Sequence, residues 1–280
     1  MNQFIIEERQ IFKFIQFLQE QGASSGTMEK YRRDVRRLSQ WLDGKSVSQE
    51  NITRWKEALL EQGLNHTTVN SMLAAANAFF RFVGWEFRAK FLRVQRKIFR
   101  DPARELTRQE YLRLVETAVK QGFYRLALLM ETICATGIRV SEAAFITVEA
   151  AKEGKAEIYL KGKVRTILLP HKLCRKLLQY AKKQKTASGG IFLTRSGKTL
   201  SRKQIWAEMK ALCQKAGVTP GKVFPHNLRH LFARTFYQAS RDVVKLADVL
   251  GHSSIETTRI YLISAGTEHI RLMEGLPLML

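Results

Sequence analysis

Cysteine is scarce: Cys134, Cys174 and Cys213 are far apart, odd in number and outside any CxxC spacing. That excludes a disulfide framework and a thiolate zinc site, and fits a reducing, cytoplasmic setting. Long apolar runs are missing as well. No segment reaches the ~20 residues of a membrane-spanning helix, so no membrane partner is expected. The start, MNQFIIEERQ, has no basic region ahead of its short apolar patch and does not read as a signal peptide. Neither an internal repeat nor a long low-complexity segment interrupts the 280 residues. The shortage with the largest consequence is of acid: 25 Asp and Glu stand against 47 Lys and Arg, a formal charge of +22.

The excess is not a tail. Residues 1 to 100 carry 17 basic and 10 acidic side chains, and the rest carry 30 and 15, so both parts are positive. Charge spread over a whole folded body suits a protein that neutralises many phosphates of a nucleic acid, with affinity that falls steeply with salt.

From residue 4 to about 87 the pattern is helical. Ile11, Phe14, Ile15 and Leu18 form one stripe, and Tyr31, Val35, Leu38 and Leu42 form the next. On that second helix Arg32, Arg33, Arg36 and Arg37 fall on other faces, where they suit phosphate contact or simple solvation. Two more helices follow. Thr67 and Thr68 lie near the start of the fourth, where they suit either phosphate oxygens or capping. Residues 89–105 are basic with little periodicity and read as a linker between a helical domain, 1–88, and a second domain, 106–280. The second domain opens with Thr107 and Glu110 in capping-box spacing. A helix from Tyr124 ends at Gly137, and "AEIYL" and "VRTILL" around "KGK" read as a hairpin. Helical patterns resume around 172–183, 201–216, 225–240 and 242–250. The expected fold is mainly α with a small β-sheet.

Three stretches of the second domain carry chemistry. In "TGIRVSE", Arg139 follows a helix terminator and precedes Ser141, a candidate N-cap, so its cation shares space with the positive end of a helix. That placement is poor unless an anion visits; Glu142 can orient it, or the two form a weak surface pair. In "PHNLRH", His226 and Arg229 share a helix face and can converge on one oxygen-rich group. His226 and His230 also have metal spacing, but the arginine between them and the lack of a third ligand nearby argue against a metal. In "LGHSSIETTRIYL", His252 precedes Tyr261 by nine residues. A tyrosine among leucines is ordinarily a packing residue.

Taken in order, "TGIRVSE", "YLKGKVRTILL", "HNLRH" and "LGHSSIETTRIY" resemble the tyrosine recombinase (phage integrase) family, especially its compact Xer-like and mobile-element members. The first domain resembles, more loosely, the SAM-like core-binding domain of that family, and the second its mixed α/β catalytic domain. The resemblance implies Arg139 as the first catalytic arginine with Glu142 as its acidic companion. It implies His226 and Arg229 as the second pair, His252 as the later histidine and Tyr261 as the nucleophile. For the hairpin lysine it implies Lys161, with Lys163 open as the alternative because the turn is one residue short of the family pattern. His230 is assigned to supporting structure.

The implied reaction joins Tyr261 to a DNA 3′-phosphate, frees a 5′-hydroxyl and passes the strand to a partner end, without cofactor or metal. Implied partners are double-stranded DNA with paired half-sites and a homotetramer formed by exchange of the C-terminal tail. Arg32, Arg36, Thr67 and Thr68 are the expected DNA contacts of the first domain. A type IB topoisomerase-like enzyme and a non-catalytic DNA-binding protein of the same fold are the rival readings.

Overall fold

A computed structural model describes residues 4–94, 101–160, 163–252, 254–262 and 273–275. The chain divides into two compact units, Met1–Arg96 and Lys97–Leu280.

The first unit holds α1 (Glu8–Glu20), α2 (Ser25–Leu42), α3 (Gln49–Glu61) and α4 (His66–Phe82). Side chains that answer the free amides of the first turn set where they begin. Ser24 accepts from Thr27 N–H, Ser48 from Asn51 N–H and Asn65 from Thr67 N–H. The cap of α4 is therefore Asn65, and Thr67 and Thr68 stay exposed. Inward stripes meet in a core of Phe14, Val35, Leu38, Trp55, Leu73 and Phe79. Phe14 and Phe79 pack edge to face with centroids 5.6 Å apart.

Beyond α4 the chain stays on this core. Asn77 brackets Ala89, accepting its N–H at 2.8 Å and donating to its carbonyl at 3.0 Å. Asn70 does the same for Leu92. Ala89 is buried in the first unit, so residues 89–92, which the sequence pattern puts at the start of the linker, are strapped to it. Two asparagines spaced two helical turns apart on α4 supply the partners that a free linker would seek in water.

The second unit opens with α5 (Arg108–Lys120), whose capping box is Thr107 with Glu110, and α6 (Tyr124–Thr136), which ends at Gly137 with φ +65°. A 3-10 turn, Val140–Phe145, and α7 (Val148–Glu153) lead into the antiparallel hairpin of β1 (Lys155–Leu160) and β2 (Lys163–Leu168). Its register runs from Lys155 opposite Leu168 to Leu160 opposite Lys163. Ala156, Ile158 and Ile167 face the core, while Tyr159, Val164 and Leu168 are exposed, the alternation of a one-sided strand pair. Then come α8 (His171–Lys183), α9 (Arg202–Ala216), α10 (Pro225–Ser240), α11 (Val243–Leu250) and α12 (Ile255–Leu262).

The main core of this unit gathers Leu114, Met130, Ile133, Leu177, Met209 and Leu228. A smaller cluster, Ala233, Leu246, Leu250 and Tyr261, docks α11 and α12 on α10. Ser141 is not a helix cap. It lies inside the 3-10 turn, where the Glu142 carboxylate takes the Arg139 N–H at 2.7 Å. A carboxylate binds an amide more strongly than a hydroxyl does, and it starts the turn two residues early. Among the described residues no helix is long and apolar enough to cross a membrane.

Candidate active site

Arg229 is the centre of the site, and it is 1 % exposed. Pro225 at the first position of α10 presets the helical turn, and Asn227 ties that turn down, donating at 2.8 Å to the carbonyls of Arg104 and Lys222. One turn on, the Arg229 guanidinium points to where two helices end. Its Nη1 donates to the Gly137 carbonyl after α6, and its Nη2 donates at 2.9 Å to the Leu250 carbonyl at the end of α11. Unpaired carbonyls and the negative ends of two helix dipoles offset the desolvation of the cation. Burial lowers the Arg229 pKa, with the neighbouring Tyr261 oxygen acting the other way, and the guanidinium keeps its charge.

Gly137 admits this convergence. A Cβ there would come within 2.4 Å of the Phe232 ring and 3.0 Å of Leu250. Gly251 serves in the same way: its φ is +63°, and a Cβ would lie 2.4 Å from Arg165 Cδ and Nε. The Arg165 side chain crosses over this glycine, donates at 2.7 Å to the Val249 carbonyl and pairs with both oxygens of Glu142 at 3.1 Å.

Glu142 is buried and holds two guanidinium groups, because Arg139 Nη1 also donates to it at 2.9 Å. The Arg139 and Glu142 of the sequence motif are thus a real pair. The rest of the Arg139 side chain, 45 % exposed, borders a hollow of about 580 Å³. Arg229 and His226 line the same hollow, together with Arg202, Lys203 and Trp206.

Tyr261 does not itself line the hollow; it is 5 % exposed and lies behind Arg229, its phenol oxygen accepting from Arg229 Nε at 3.3 Å. Three imidazoles surround its ring, with centroids at 4.4 Å for His230, 5.5 Å for His252 and 5.8 Å for His226. His226 is exposed and touches His230 edge to face, whereas His230 is buried. The His252 pKa is lowered to about 4, by burial first and then by Arg229, Arg139 and Arg165, with Glu142 opposing. At neutral pH the ring is uncharged.

Arg139, Glu142, His226, Arg229, His252 and Tyr261 therefore meet in one place. Lys161 lies outside the described residues, as does the side chain of Lys163, the alternative. Sequence reasoning missed Arg165 and Thr258. The first shares the inward parity of Ile167 on β2, and the second lies three residues before Tyr261, on the same face of α12. Among the described residues no group of three His, Cys, Asp or Glu side chains is arranged to hold a metal ion.

In the first unit Thr67 and Thr68 border a hollow of about 350 Å³ whose basic residues are Lys30, Arg33 and Arg37. Arg32 and Arg36 are not part of it. Positions 30, 33, 34 and 37 share the face of α2 that meets α4, whereas Arg36 reaches Glu8 at the start of α1, Nε donating at 2.8 Å. Asp34, buried below the hollow, accepts from Lys30 at 2.7 Å and from Arg33 at 3.1 Å.

Comparison with known proteins agrees over most of the chain. The model of the phage integrase family matches residues 104–268, and that of the phage integrase N-terminal SAM-like domain matches residues 11–86. Tyrosine recombinase XerA of Pyrococcus furiosus is 30% identical over 257 residues, covering 89% of this chain and 87% of the relative. Tyrosine recombinase XerD of Staphylococcus saprophyticus subsp. saprophyticus is 32% identical over 283 residues, with 92% of each chain covered. Among solved structures, the Tn1549 transposon integrase in complex with transposon right end DNA has the same fold, with a TM-score of 0.73 at 19% identity over 95% of this chain and 99% of that one.

Proposed function

This chain belongs to the phage integrase family and is a tyrosine-type site-specific recombinase, and from that premise we propose that Tyr261 is its nucleophile. The observation that carries the assignment is the Tyr261 oxygen at 3.3 Å from Arg229 Nε, beside a hollow that Arg139 and His226 also line. A DNA phosphodiester entering the hollow meets two guanidinium groups. They are the donors suited to the non-bridging oxygens, on which charge concentrates in the five-coordinate transition state.

In the proposed reaction the Tyr261 oxygen forms a bond to phosphorus as the bond from phosphorus to O5′ breaks. His226 takes the phenol proton, Lys161 gives one to the departing O5′, and His252 donates to the phosphate. The product is a 3′-phosphotyrosine and a free 5′-hydroxyl. Attack by the 5′-hydroxyl of a partner strand reverses the step on new DNA, so bond energy is conserved. The role of Glu142 is to hold Arg139, supported by their 2.9 Å pair.

The substrate is double-stranded DNA carrying paired half-sites, and two such sites require four protomers. The apolar tail, residues 268–280, is the candidate for exchange between them; it lies outside the described residues except for 273–275. In the first unit the phosphate contacts are Thr67 and Thr68 with Lys30, Arg33 and Arg37, whose shared hollow supports this set better than Arg32 and Arg36. The low cysteine content supports a cytoplasmic setting.

A nicked duplex carrying candidate sites, from which the fragment beyond the cut is lost, tests the reading. The protein becomes covalently attached to the 3′ side, and EDTA does not alter the yield. Tyr261→Phe abolishes the adduct. An adduct that survives this substitution overturns the assignment, and relaxation of supercoiled DNA without exchange between two sites points to a topoisomerase-like role.

A further inference from the structure

Among the groups around Tyr261, the polar side chains of His230 and Thr258 have no part in the chemistry above, and the second lies within hydrogen-bond reach of a group that does. Thr258 is fully buried, and its Oγ1 lies 2.9 Å from His252 Nδ1. On the other side of the same ring, His252 Nε2 lies 2.9 Å from Arg229 Nη2. A guanidinium has donors only, so Nε2 must be the acceptor of that bond and carries no proton. A neutral imidazole has one proton, which then sits on Nδ1 and is donated to Thr258.

We propose that Thr258 is a positioning residue for the reaction: its hydroxyl oxygen holds His252 in the one tautomer and orientation from which Nε2 can serve the phosphate. The assignment rests on the reading of Tyr261 as nucleophile and His252 as a phosphate donor. Before DNA binds, the Nε2 lone pair is masked by Arg229. A phosphodiester that draws Arg229 Nη2 toward itself exposes that lone pair and brings negative charge to the ring. His252 then takes up one proton from solvent, and Nε2–H donates to a non-bridging oxygen. No ring flip is needed, because Thr258 accepts the Nδ1 proton in both states.

The groups that set this balance are Arg229 on α10, Arg165 on β2, Arg139 and Glu142 on the 3-10 turn, and Tyr261 on α12. Burial, together with three cations against one carboxylate, keeps the free ring neutral, and an added phosphate charge offsets part of that excess positive charge and so favours protonation. Thr258 and Tyr261 are three residues apart on the same helix, so the hold on His252 exists only while α12 is docked. The later histidine is thereby made ready by the element that delivers the nucleophile.

Thr258→Val keeps shape and removes the acceptor, and Thr258→Ser restores the acceptor without the methyl. Long-range ¹H–¹⁵N correlation of the full-length free protein, with His252→Gln for assignment, reads the tautomer independently of activity. Wild type and Thr258→Ser are expected to show Nδ1–H, and Thr258→Val to show Nε2–H or a mixture. Covalent adduct formation on the nicked duplex falls about tenfold or more in Thr258→Val and stays within about twofold in Thr258→Ser. The acid limb of the pH–rate profile shifts only in the valine variant.

An unchanged tautomer and rate in Thr258→Val overturn the proposal, as does a serine variant that falls as far as the valine one. If the valine variant does not fold, the serine variant decides alone by the same two readouts. An adduct that persists in Tyr261→Phe strikes the nucleophile assignment instead and leaves the free-protein tautomer to judge Thr258.

Discussion

The two units bury different kinds of residue. In the first, the described core is aliphatic and aromatic, and its one buried charge, Asp34, is answered by neighbours on its own helix. In the second, Glu142, Asn227, Arg229, His230 and Thr258 are all buried, and Glu142, Asn227 and Arg229 each take at least one partner from a distant part of the chain. A core of the first kind follows from periodicity and is robust to small shifts. One of the second kind satisfies each polar group only if several elements arrive in register, and removing one partner strands another. The contrast is that of a core fixed by apolar periodicity and a core fixed by polar register.

Substitutions in the two units should therefore fail in different ways. Trp55→Ala, at a side chain 1 % exposed, is expected to remove ~3–5 kcal/mol from the first unit. Urea unfolding followed by tryptophan fluorescence and by circular dichroism should split into two transitions, with only the first unit's displaced. A single transition displaced as a whole would break the comparison, since the units would then unfold together. Arg229→Lys keeps the charge but cannot span the Gly137 and Leu250 carbonyls and the Tyr261 oxygen at once. Adduct formation should drop ~100-fold or more, about 2.7 kcal/mol of transition-state stabilisation, while DNA affinity in a gel shift changes little.

The same contrast explains what was legible from sequence. The stripes Ile11–Phe14–Ile15 and Val35–Leu38–Leu42 are buried as their spacing requires. Thr107 with Glu110 caps α5, and Gly137 ends α6 in the left-handed conformation. Within the site, Arg139 with Glu142 and His226 with Arg229 are local spacings, so a helical turn is enough to find them. Arg165 was missed because its partners are 23 and 84 residues away. The acceptors of Arg229 were missed because they are backbone carbonyls, which no letter of the sequence marks. Which of Arg32, Arg33, Arg36 and Arg37 share a hollow with Thr67 and Thr68 was hidden for a related reason. Arginines clustered on one helix cover several faces, and only the position of α4 says which face Thr67 and Thr68 join. Lys161 remains a matter of motif alone.

Gly251 offers a sharper test of how tightly the second unit is registered. Gly251→Ala adds one methyl group that meets Arg165, and it forces alanine into a left-handed turn. The expected loss is ~1–3 kcal/mol in urea unfolding of the second unit. Because Arg165 must withdraw from Glu142, adduct formation should fall further than the stability loss explains. Pairing the change with Arg165→Ala gives space back to the methyl group, so the double variant should be more stable than the sum of the singles predicts. Strict additivity would mean that the crossing of Arg165 over Gly251 carries no energy.

The smallest expected effect is a pH dependence confined to the second unit. His252 has its pKa lowered to about 4 in the folded protein, against an ordinary value near 6.5. Above 6.5 neither state holds the extra proton, and His252 contributes no slope. Between 6.5 and 4 the unfolded chain binds a proton that the folded protein refuses, so stability falls as pH falls and levels off below 4. His252→Gln should flatten that part of the pH profile of urea midpoints for the second unit and leave the first unit's profile as it was. A slope that persists unchanged in His252→Gln would place the titrating group elsewhere. Nucleic acid should weaken the same slope in the wild type, because phosphate in the hollow turns the ring from a refuser of protons into an acceptor of one.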